Sequence, residues 1–306
     1  MVQSPNHPLV WGADAMAEAV QVATGYRFFE VWDPVAMRDR IEAAAGGLGV
    51  LGTVLIASEG INLSIAGTPA QIDALEAILA ATLTPSHLQL QRSPAGDVRP
   101  FRRLRVRLRE EIVALGRGAA TLPFENATTA TAEQWHRLLE DPAVAVIDVR
   151  NHYEVAVGGF DDAVDPHIDS FRDFPAWVET HLDPQQTPEV AIYCTGGIRC
   201  TKAAAWMRGQ GFERVHELAG GILGYLAATP PASSRWRGEC FVFDDRVGLD
   251  HSSGQGLEPG ELALCPDCGQ PRAVDTAAAV GQSSPANRGI HRYCRHCRST
   301  FKETDA

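Results

Sequence analysis

The chain is 306 residues long, 45% of them hydrophobic, and its formal net charge at pH 7 is −11. This length allows two or three domains with real apolar cores. The acidic balance argues against indiscriminate nucleic-acid binding, although a local basic face can still bind RNA. The longest apolar stretch, residues 50–57, is too short to cross a bilayer, and no basic-then-apolar signal opens the chain. Six of the seven cysteines lie in one loop and two short motifs, which does not suggest a disulfide framework. We therefore expect a soluble cytoplasmic protein.

The N-terminal part is predicted to contain an extension and a small α+β domain. Residues 1–24 show no core pattern and are interpreted as the extension. Residues 25–120 show the β-α-β-β-α-β order of a ferredoxin-like (acylphosphatase-like) domain. The predicted strands are 27–32, 50–57, 61–66 and 87–91, and the predicted helices are 34–45 and 69–81. Both helices begin with N-cap and proline signals, Asp33-Pro34 and Thr68-Pro69. Residues 58–62 are interpreted as a tight turn rather than a binding loop.

Arginines alternate with apolar residues in the segment that follows, which is the period of a half-buried strand. The basic side comprises Arg103, Arg105, Arg107 and Arg109. Because these like charges repel one another, the arrangement suits binding to the phosphates of RNA. The alternative is an edge strand protected from aggregation by its charge, with Glu110 and Glu111 as partners. The residues alone leave both interpretations open.

Short strands alternate with helices over residues 121–232, which predicts a parallel sheet with ligands at the carboxyl ends of its strands. The predicted strands are 144–150, 190–193 and 215–218, and the predicted helices are 131–139, 170–182, 201–210 and one that starts at 220–223. Thr131 and Gln134 have the spacing of a capping box. Asp148 and Arg150 follow the first strand and are expected to support a neighbouring loop rather than to react.

A candidate active loop follows strand 190–193. Its residues are Cys194, Thr195, Gly196, Gly197, Ile198, Arg199 and Cys200. The two glycines allow a tight turn that aims several N–H groups at one point. A helix N-terminus and a guanidinium both favour the thiolate of Cys194. We predict Cys194 and Arg199 as catalytic residues and the other five as the substrate or oxyanion loop; the alternative is a buried structural cysteine. The Cys-x4-Arg spacing resembles the active loop of rhodanese-type sulfurtransferases, so residues 121–232 are predicted to be a rhodanese-like domain.

The C-terminal region, residues 233–306, contains two Cys-x2-Cys motifs. The predicted ligands of a structural zinc ion are Cys265, Cys268, Cys294 and Cys297. Four thiolates form a closed tetrahedral site with no open position for substrate, so the predicted role is structural. Unmetallated or redox-active cysteines are the alternative. Cys240 is interpreted as a packed core thiol.

From about Tyr26 to the C-terminal cysteines, the chain resembles the bacterial rhodanese-related tRNA uridine hydroxylases. The resemblance rests on residues 59–62, the arginine-rich strand with 111–116, and residues 148–151, 194–200 and 240–244. It implies oxygen-dependent hydroxylation of carbon 5 of the wobble uridine, with molecular oxygen as co-substrate and the tRNA anticodon loop as partner. No haem, flavin, nicotinamide or facial-triad iron motif is visible. The sequence identifies neither the electron or sulfur donor nor the oligomeric state.

Our mechanistic hypothesis is that the Cys194 thiolate adds to carbon 6 of the uracil, while the loop amides and Arg199 stabilise the developing charge. Cys200 either resolves an oxidised Cys194 or packs at the helix start. A sulfurtransferase that carries a persulfide on Cys194 is the second interpretation. A non-enzymatic RNA-binding module is the third.

Overall fold

The computed structural model describes residues 19–83, 88–117, 128–252, 254 and 256–273. Within these ranges, no helix combines the length and the apolar character needed to span a membrane. The elements form a mostly antiparallel N-terminal sheet, a central parallel sheet and several short C-terminal strands.

The N-terminal domain is a five-stranded sheet with two helices on one face. Its elements are β1 (Gln21–Phe28), α1 (Pro34–Leu48), β2 (Leu51–Ala57), β3 (Gly60–Gly67), α2 (Pro69–Thr82), β4 (Gln91–Pro94) and β5 (Leu104–Leu108). The strand order is β4-β1-β3-β2-β5, in which β5 runs parallel to β2 and the other neighbours are antiparallel. The predicted β-α-β-β-α-β order is confirmed, and the arginine-rich segment adds a fifth strand at the sheet edge. Asp33 and Thr68 cap the two helices as expected, and Thr68 also forms a capping box with Gln71.

The positions of two strands in this domain were predicted wrongly. β1 runs from Gln21 to Phe28 rather than over 27–32, so the last residues assigned to the N-terminal extension belong to the sheet. β4 covers Gln91–Pro94 rather than 87–91. Apolar and polar residues do not alternate clearly in β1, because both faces of this strand are covered. Val22 and Ala23, on opposite faces, are both fully buried.

The central domain is a four-stranded parallel sheet between helices, as predicted. Its elements are β6 (Thr128–Ala130), α3 (Ala132–Glu140), β7 (Ala145–Asp148), α4 (His152–Val155), β8 (Gly158–Phe160), α5 (Phe174–His181), β9 (Glu189–Tyr193), α6 (Ile198–Gly209), β10 (Arg214–Leu218) and α7 (Gly221–Ala228). The parallel strands follow the order β6-β10-β9-β7. The predicted helix 170–182 is split into a 3-10 turn and α5, because Pro175 suits the first turn of a new helix.

Two cores cover the two faces of the parallel sheet. Ile192, Cys194 and Met207 belong to one core, and Tyr193 and Trp135 belong to the other. The sheet therefore holds Cys194 between rigid layers.

The C-terminal segment packs into the second of these cores. Its strands are β11 (Trp236–Gly238), β12 (Cys240–Phe241), β13 (Gly248–Asp250), β14 (Glu258–Pro259), β15 (Leu262–Leu264) and β16 (Pro271–Ala273). β11 pairs with β8 of the central domain, and β15 and β16 form a hairpin. Cys240 is fully buried, as the interpretation as a core thiol requires, and burial raises its pKa to about 12.

Candidate active site

Cys194 directly follows β9, and helix α6 begins four residues later at Ile198. Gly197 lies between them with a φ of +97°, in the left-handed region that glycine adopts without strain. The Gly197 N–H donates to the Cys194 Sγ over 3.2 Å. The backbone N–H groups of Arg199 and Cys200 also hydrogen-bond the sulfur. The predicted nest of donors around the thiol is therefore present.

The start of α7 holds the outer side of this loop. The N–H groups of Ile222 and Leu223 donate to the carbonyls of Cys194 and Thr195 over 2.9 and 3.0 Å. Gly221 has a φ of +63°, and a Cβ there would lie 2.5 Å from the Cys194 carbonyl oxygen. Because these hydrogen bonds hold the carbonyls of the loop on the side of α7, the N–H groups of the loop are directed at the sulfur.

The surroundings favour the thiolate of Cys194. Burial by itself raises the pKa of this thiol. A hydrogen bond from the Cys200 thiol, the charge of Arg199 and the backbone N–H groups together lower the pKa by more than burial raises it. The resulting pKa is about 6. A cysteine with this pKa is mostly ionised at neutral pH and is a competent nucleophile.

Arg199 is held by a buried glutamate that the sequence analysis missed. The Nη1 and Nη2 atoms of Arg199 donate to the two carboxylate oxygens of Glu154 over 2.6 and 2.8 Å. Burial opposes ionisation of Glu154, yet the guanidinium holds the pKa of this carboxyl below its usual value. Glu154 also accepts from the N–H of Asn151 at the start of α4. The Asn-x-x-Glu spacing at residues 151–154 is a capping-box signal that marks this glutamate in the sequence.

Asp148 and Arg150 form a second buried ion pair behind the loop, with 2.6 Å between the Nη2 and Oδ2 atoms. Arg150 also donates to the carbonyls of Glu154 and Gly158, and its guanidinium lies 5.2 Å from the ring centroid of Trp236. These contacts fix the end of β7 against α4, which carries the partner of Arg199. The expected supporting role of the pair agrees with this arrangement.

The N-terminal domain covers one side of the loop. The hydroxyl of Tyr26 in β1 hydrogen-bonds the Thr201 hydroxyl over 2.9 Å, and it would lie 2.9 Å from a Cβ at Gly197. Burial raises the pKa of Tyr26 well above its usual range. Thr201 also donates to the carboxylate of Glu217, whose pKa is raised by burial. A tyrosine from one domain thus contacts the Cys194 loop of the other.

Strand pairing places the arginines on the same face of the sheet as Tyr26. Tyr26 lies opposite Asn62, Asn62 opposite Leu55, and Leu55 opposite Arg107, and residues paired in this way point to the same side. Three strand spacings, roughly 14 Å, separate the two ends of the row. The helices lie on the other face, so this face is turned towards the Cys194 loop.

The four predicted RNA-binding arginines are exposed. The charge of Arg103, followed by slight burial and the charge of Arg107, lowers the pKa of Arg105. The repulsion that the sequence predicts is therefore present. Glu111, proposed above as a partner for the arginines, is bound elsewhere.

Glu111 belongs to a buried cluster between the two domains. Lys202 on α6 donates to Glu59 over 2.8 Å, to Glu111 over 2.6 Å and to the carbonyl of Val113 over 2.7 Å. Glu59 also accepts from the N–H of Ile112 over 2.7 Å. The turn after β2 is thus a docking point between the domains, in agreement with a structural rather than a ligand-binding role.

One group of possible metal ligands exists among the described residues: His152, Asp165 and His167. The Nδ1 atom of His152 lies 2.7 Å from the Asp165 carboxylate, and both histidines are exposed. Two imidazoles and a carboxylate suit zinc, nickel, copper or iron. This group was missed in the sequence analysis, which found no facial-triad iron motif; its members lie on the two sides of β8 and meet only in the folded chain.

Half of the predicted zinc site lies in the turn of the β15–β16 hairpin. Cys265 is buried and Cys268 is exposed; the Gly269 N–H donates to the Cys265 carbonyl over 2.8 Å, and Gly269 has a φ of +72°. Cys294 and Cys297 lie outside the described residues. The zinc site therefore stays a prediction.

Comparison with known proteins identifies both domains. Residues 20–112 match the model of the UPF0176 acylphosphatase like domain, and residues 131–228 match that of the rhodanese-like domain. The predicted fold classes of the two domains are confirmed.

Full-length relatives extend this result. A tRNA uridine(34) hydroxylase of Synechocystis sp. is 41% identical over 91% of this chain and 96% of its own length. The proteins of the same name from Deinococcus radiodurans and Caulobacter vibrioides are both 44% identical, over 92% and 82% of this chain and 89% and 80% of their own lengths. The chain therefore belongs to the tRNA uridine(34) hydroxylase family.

Proposed function

We propose that this protein hydroxylates carbon 5 of uridine 34 in tRNA and that Cys194 is its nucleophile. The observation that carries the proposal is a thiol with a pKa of about 6 in a loop of backbone donors. A sheet face with exposed arginines is turned towards this loop. Membership of the family and the names of its relatives support tRNA as the substrate. This substrate also supports a cytoplasmic location.

We propose a covalent mechanism in which Cys194 is bound to the uracil until the last step. The Cys194 thiolate adds to carbon 6 of the uracil, and the electron pair of the 5,6 double bond forms an enolate. The enolate carbon 5 attacks molecular oxygen, and uptake of one proton gives a hydroperoxide. Two molecules of an external thiol reduce it to the alcohol and water and become a disulfide. Loss of the proton from carbon 5 then expels the Cys194 thiolate and restores the double bond.

Arg199 and the loop amides are proposed to stabilise the enolate. They already surround the thiolate, so they need little rearrangement when the negative charge moves onto the base. Glu154 holds the guanidinium in place from behind. Cys194 is fully buried in the free protein, so individual side chains over the loop must turn aside before a splayed-out uracil can enter.

The anticodon loop is the proposed contact of the arginine face. Single-stranded loops present their bases for extrusion, and exposed guanidiniums bind their phosphates. The exposure of Arg105 and Arg107 on one face of β5 supports this role. The roughly 14 Å between this edge and Tyr26 allows one RNA loop to contact both.

The test is hydroxylation of tRNA by the purified protein in air with a thiol reductant, measured by mass spectrometry of nucleosides. We expect 5-hydroxyuridine from the wild type and none from Cys194→Ser, whereas Cys240→Ala, which also removes a buried thiol, retains activity. Wild-type activity in Cys194→Ser would refute the mechanism. Thiocyanate formation from thiosulfate and cyanide, without tRNA hydroxylation, would favour the sulfurtransferase interpretation. Salt-sensitive tRNA binding without either reaction would favour a binding module.

We also propose a structural zinc ion on Cys265, Cys268, Cys294 and Cys297. The tight turn that contains the first two cysteines supports it, since zinc knuckles place paired thiolates on such turns. Metal analysis of the purified protein should give one zinc per chain. Cys265→Ser and Cys294→Ser should each abolish it, and retention of zinc in either variant would exclude this ligand set.

A further inference from the structure

An exposed aromatic side chain lies next to the catalytic loop and has no role in the mechanism above. Phe243, which follows β12, is 63% exposed. Its ring centroid lies 5.9 Å from the guanidinium carbon of Arg199 and 5.1 Å from the ring of Phe241. Phe241 in turn contacts the ring of Tyr153 edge to face at 5.4 Å. Three aromatic rings thus form a continuous wall that starts at Arg199.

The wall borders a pocket of about 320 Å³, at the lower end of the range for small-molecule sites. The lining residues are Tyr153, Phe241, Val242, Phe243, Asp244, Asp245, Leu264, Gly269 and Gln270. The pocket therefore combines aromatic surface with carboxylate and amide groups. Flat heteroaromatic ligands with N–H donors have this complementarity.

The two carboxylates of the pocket differ in availability. The side chain of Asp244 is buried and is bound by Arg246, whose Nε and Nη2 atoms donate over 2.7 and 2.6 Å. Asp245 is about half exposed, and its carboxylate lies 3.7 Å from the Nε atom of Arg102. An exposed pair at this distance is weak. The Asp245 carboxylate can therefore accept a hydrogen bond from a ligand.

The pocket is also continuous with the arginine segment. The N–H of Asp245 donates to the carbonyl of Pro100 over 3.0 Å, and Arg102 lies just before β5. One side of the pocket thus borders Arg199 of the catalytic loop, and the other side borders the arginine-rich chain. Phe243 thus lies between Arg199 and Asp245, the residue that contacts Arg102.

We infer that Phe243 is a stacking platform for a nucleobase that flanks uridine 34, and that the pocket beside it receives this base. The inference rests on the proposed function and adds a substrate-positioning site to it. Extrusion of one base from an RNA loop leaves its neighbours unstacked, and an exposed ring beside the reactive thiol replaces the lost stacking. Arg199 covers one side of the Phe243 ring, and the exposed remainder is available to the base.

The first test measures binding of an anticodon stem–loop RNA to full-length variants by fluorescence anisotropy. Phe243→Leu keeps an apolar side chain but removes the ring, and should weaken binding roughly 5- to 150-fold. Phe243→Tyr keeps the ring and should bind within about two-fold of the wild type. Ile78→Ala is the control, because Ile78 is a partly exposed apolar residue on α2, at the opposite face of the sheet. Equal binding by Phe243→Leu and the wild type would overturn the inference.

The second test uses RNAs that lack the base on the 5′ or the 3′ side of uridine 34. One of these RNAs should bind the wild type more weakly, and Phe243→Leu should add no further loss for that RNA. Additive losses for both RNAs would refute stacking on Phe243. The alkylation rate of Cys194 should be unchanged in Phe243→Leu, which excludes a general disturbance of the loop. Both tests measure binding, so they decide the inference even if hydroxylation itself is not observed.

Discussion

Replacement of Cys200 by alanine tests how the loop ionises Cys194. Burial raises the pKa of Cys194, and the thiol of Cys200 has the largest of the opposing effects, ahead of Arg199. Both sulfurs are fully buried. The substitution removes one sulfur atom and no charge, so the ion pair between Arg199 and Glu154 remains.

The expected magnitude follows from the strength of one hydrogen bond. A bond to a charged acceptor contributes roughly 1.5–3 kcal/mol, and about 1.4 kcal/mol changes a pKa by one. Because a thiol is a weak donor, the low end applies. The pKa of Cys194 should then rise from about 6 to about 7. At pH 6 the thiolate fraction falls from about one half to about one tenth, so alkylation slows about five-fold.

The assay is alkylation by iodoacetamide between pH 5 and 9, followed at each cysteine by peptide mass spectrometry. A small reagent is needed because the sulfur is buried. Cys200→Ser keeps a hydroxyl donor, so its midpoint should stay near that of the wild type. Cys240, whose pKa burial raises to about 12, should stay unmodified throughout. The reasoning is refuted if the Cys200→Ala and wild-type curves coincide, or if the wild-type midpoint lies near the ordinary value of 9.0.

The same ionisation makes stability depend on pH. The pKa of Cys194 is lower in the folded protein than in the unfolded chain, so the thiolate stabilises the fold fully above about pH 9. This contribution, at most roughly 4 kcal/mol, is lost as the pH falls to about 6. The difference in unfolding free energy between the wild type and Cys194→Ala should therefore change in the wild type's favour from pH 6 to pH 9. A constant difference would contradict a low pKa.

Three further substitutions test the parts of the structure around the loop. Gly221 has a φ of +63°, and a Cβ there would lie 2.5 Å from a backbone atom. Gly221→Ala should therefore destabilise the protein by more than about 2 kcal/mol in urea unfolding. Gly209→Ala is the control and should not destabilise it, because a Cβ at Gly209 meets nothing within 4 Å. Lys202→Met leaves the buried Glu59 and the partly buried Glu111 without their cation and should cost about 3–5 kcal/mol by the same measurement. A loss below about 1 kcal/mol would contradict the ion-pair cluster. Arg105→Gln and Arg107→Gln should each reduce the slope of log affinity against log salt by about 0.7 for anticodon-loop RNA, and unchanged slopes would favour the edge-protection interpretation.

The features predicted correctly from sequence depend on neighbours in the chain. The nest of donors around the Cys194 thiol could be predicted because the glycines, the helix start and the cation fall within seven residues. The catalytic roles of Cys194 and Arg199 stay predictions. The Thr131–Gln134 capping box and the alternation of arginines in β5 are equally local, and the structure contains both. Hydrogen bonds within a turn and the period of a strand require no knowledge of the tertiary fold.

The features that were missed depend on contacts between distant segments. Tyr26 reaches the loop from another domain, and Gly221 supports it from the start of the following helix. Glu154, the partner of Arg199, carries a capping signal but no signal for the ion pair itself. β1 was misplaced for the same reason, since two separate layers bury its two faces and erase the alternation. Ion pairs and burial between such segments depend on the tertiary fold, so they could not be predicted from neighbouring residues in the sequence.

Contacts between the two domains hold the Cys194 loop of the rhodanese-like domain next to the arginine face of the N-terminal domain. Lys202 on α6 is neutralised by Glu59 and Glu111, so separation of the domains would leave buried charges without partners, at a cost of several kcal/mol. The same helix begins at the Cys194 loop and carries the Thr201 contact to Tyr26. Any movement of the arginine face relative to α6 must break these bonds. The fold therefore fixes the distance between the arginine face and the thiolate. Under the proposed function, an RNA loop held by its phosphates on that face would present one particular base to the sulfur.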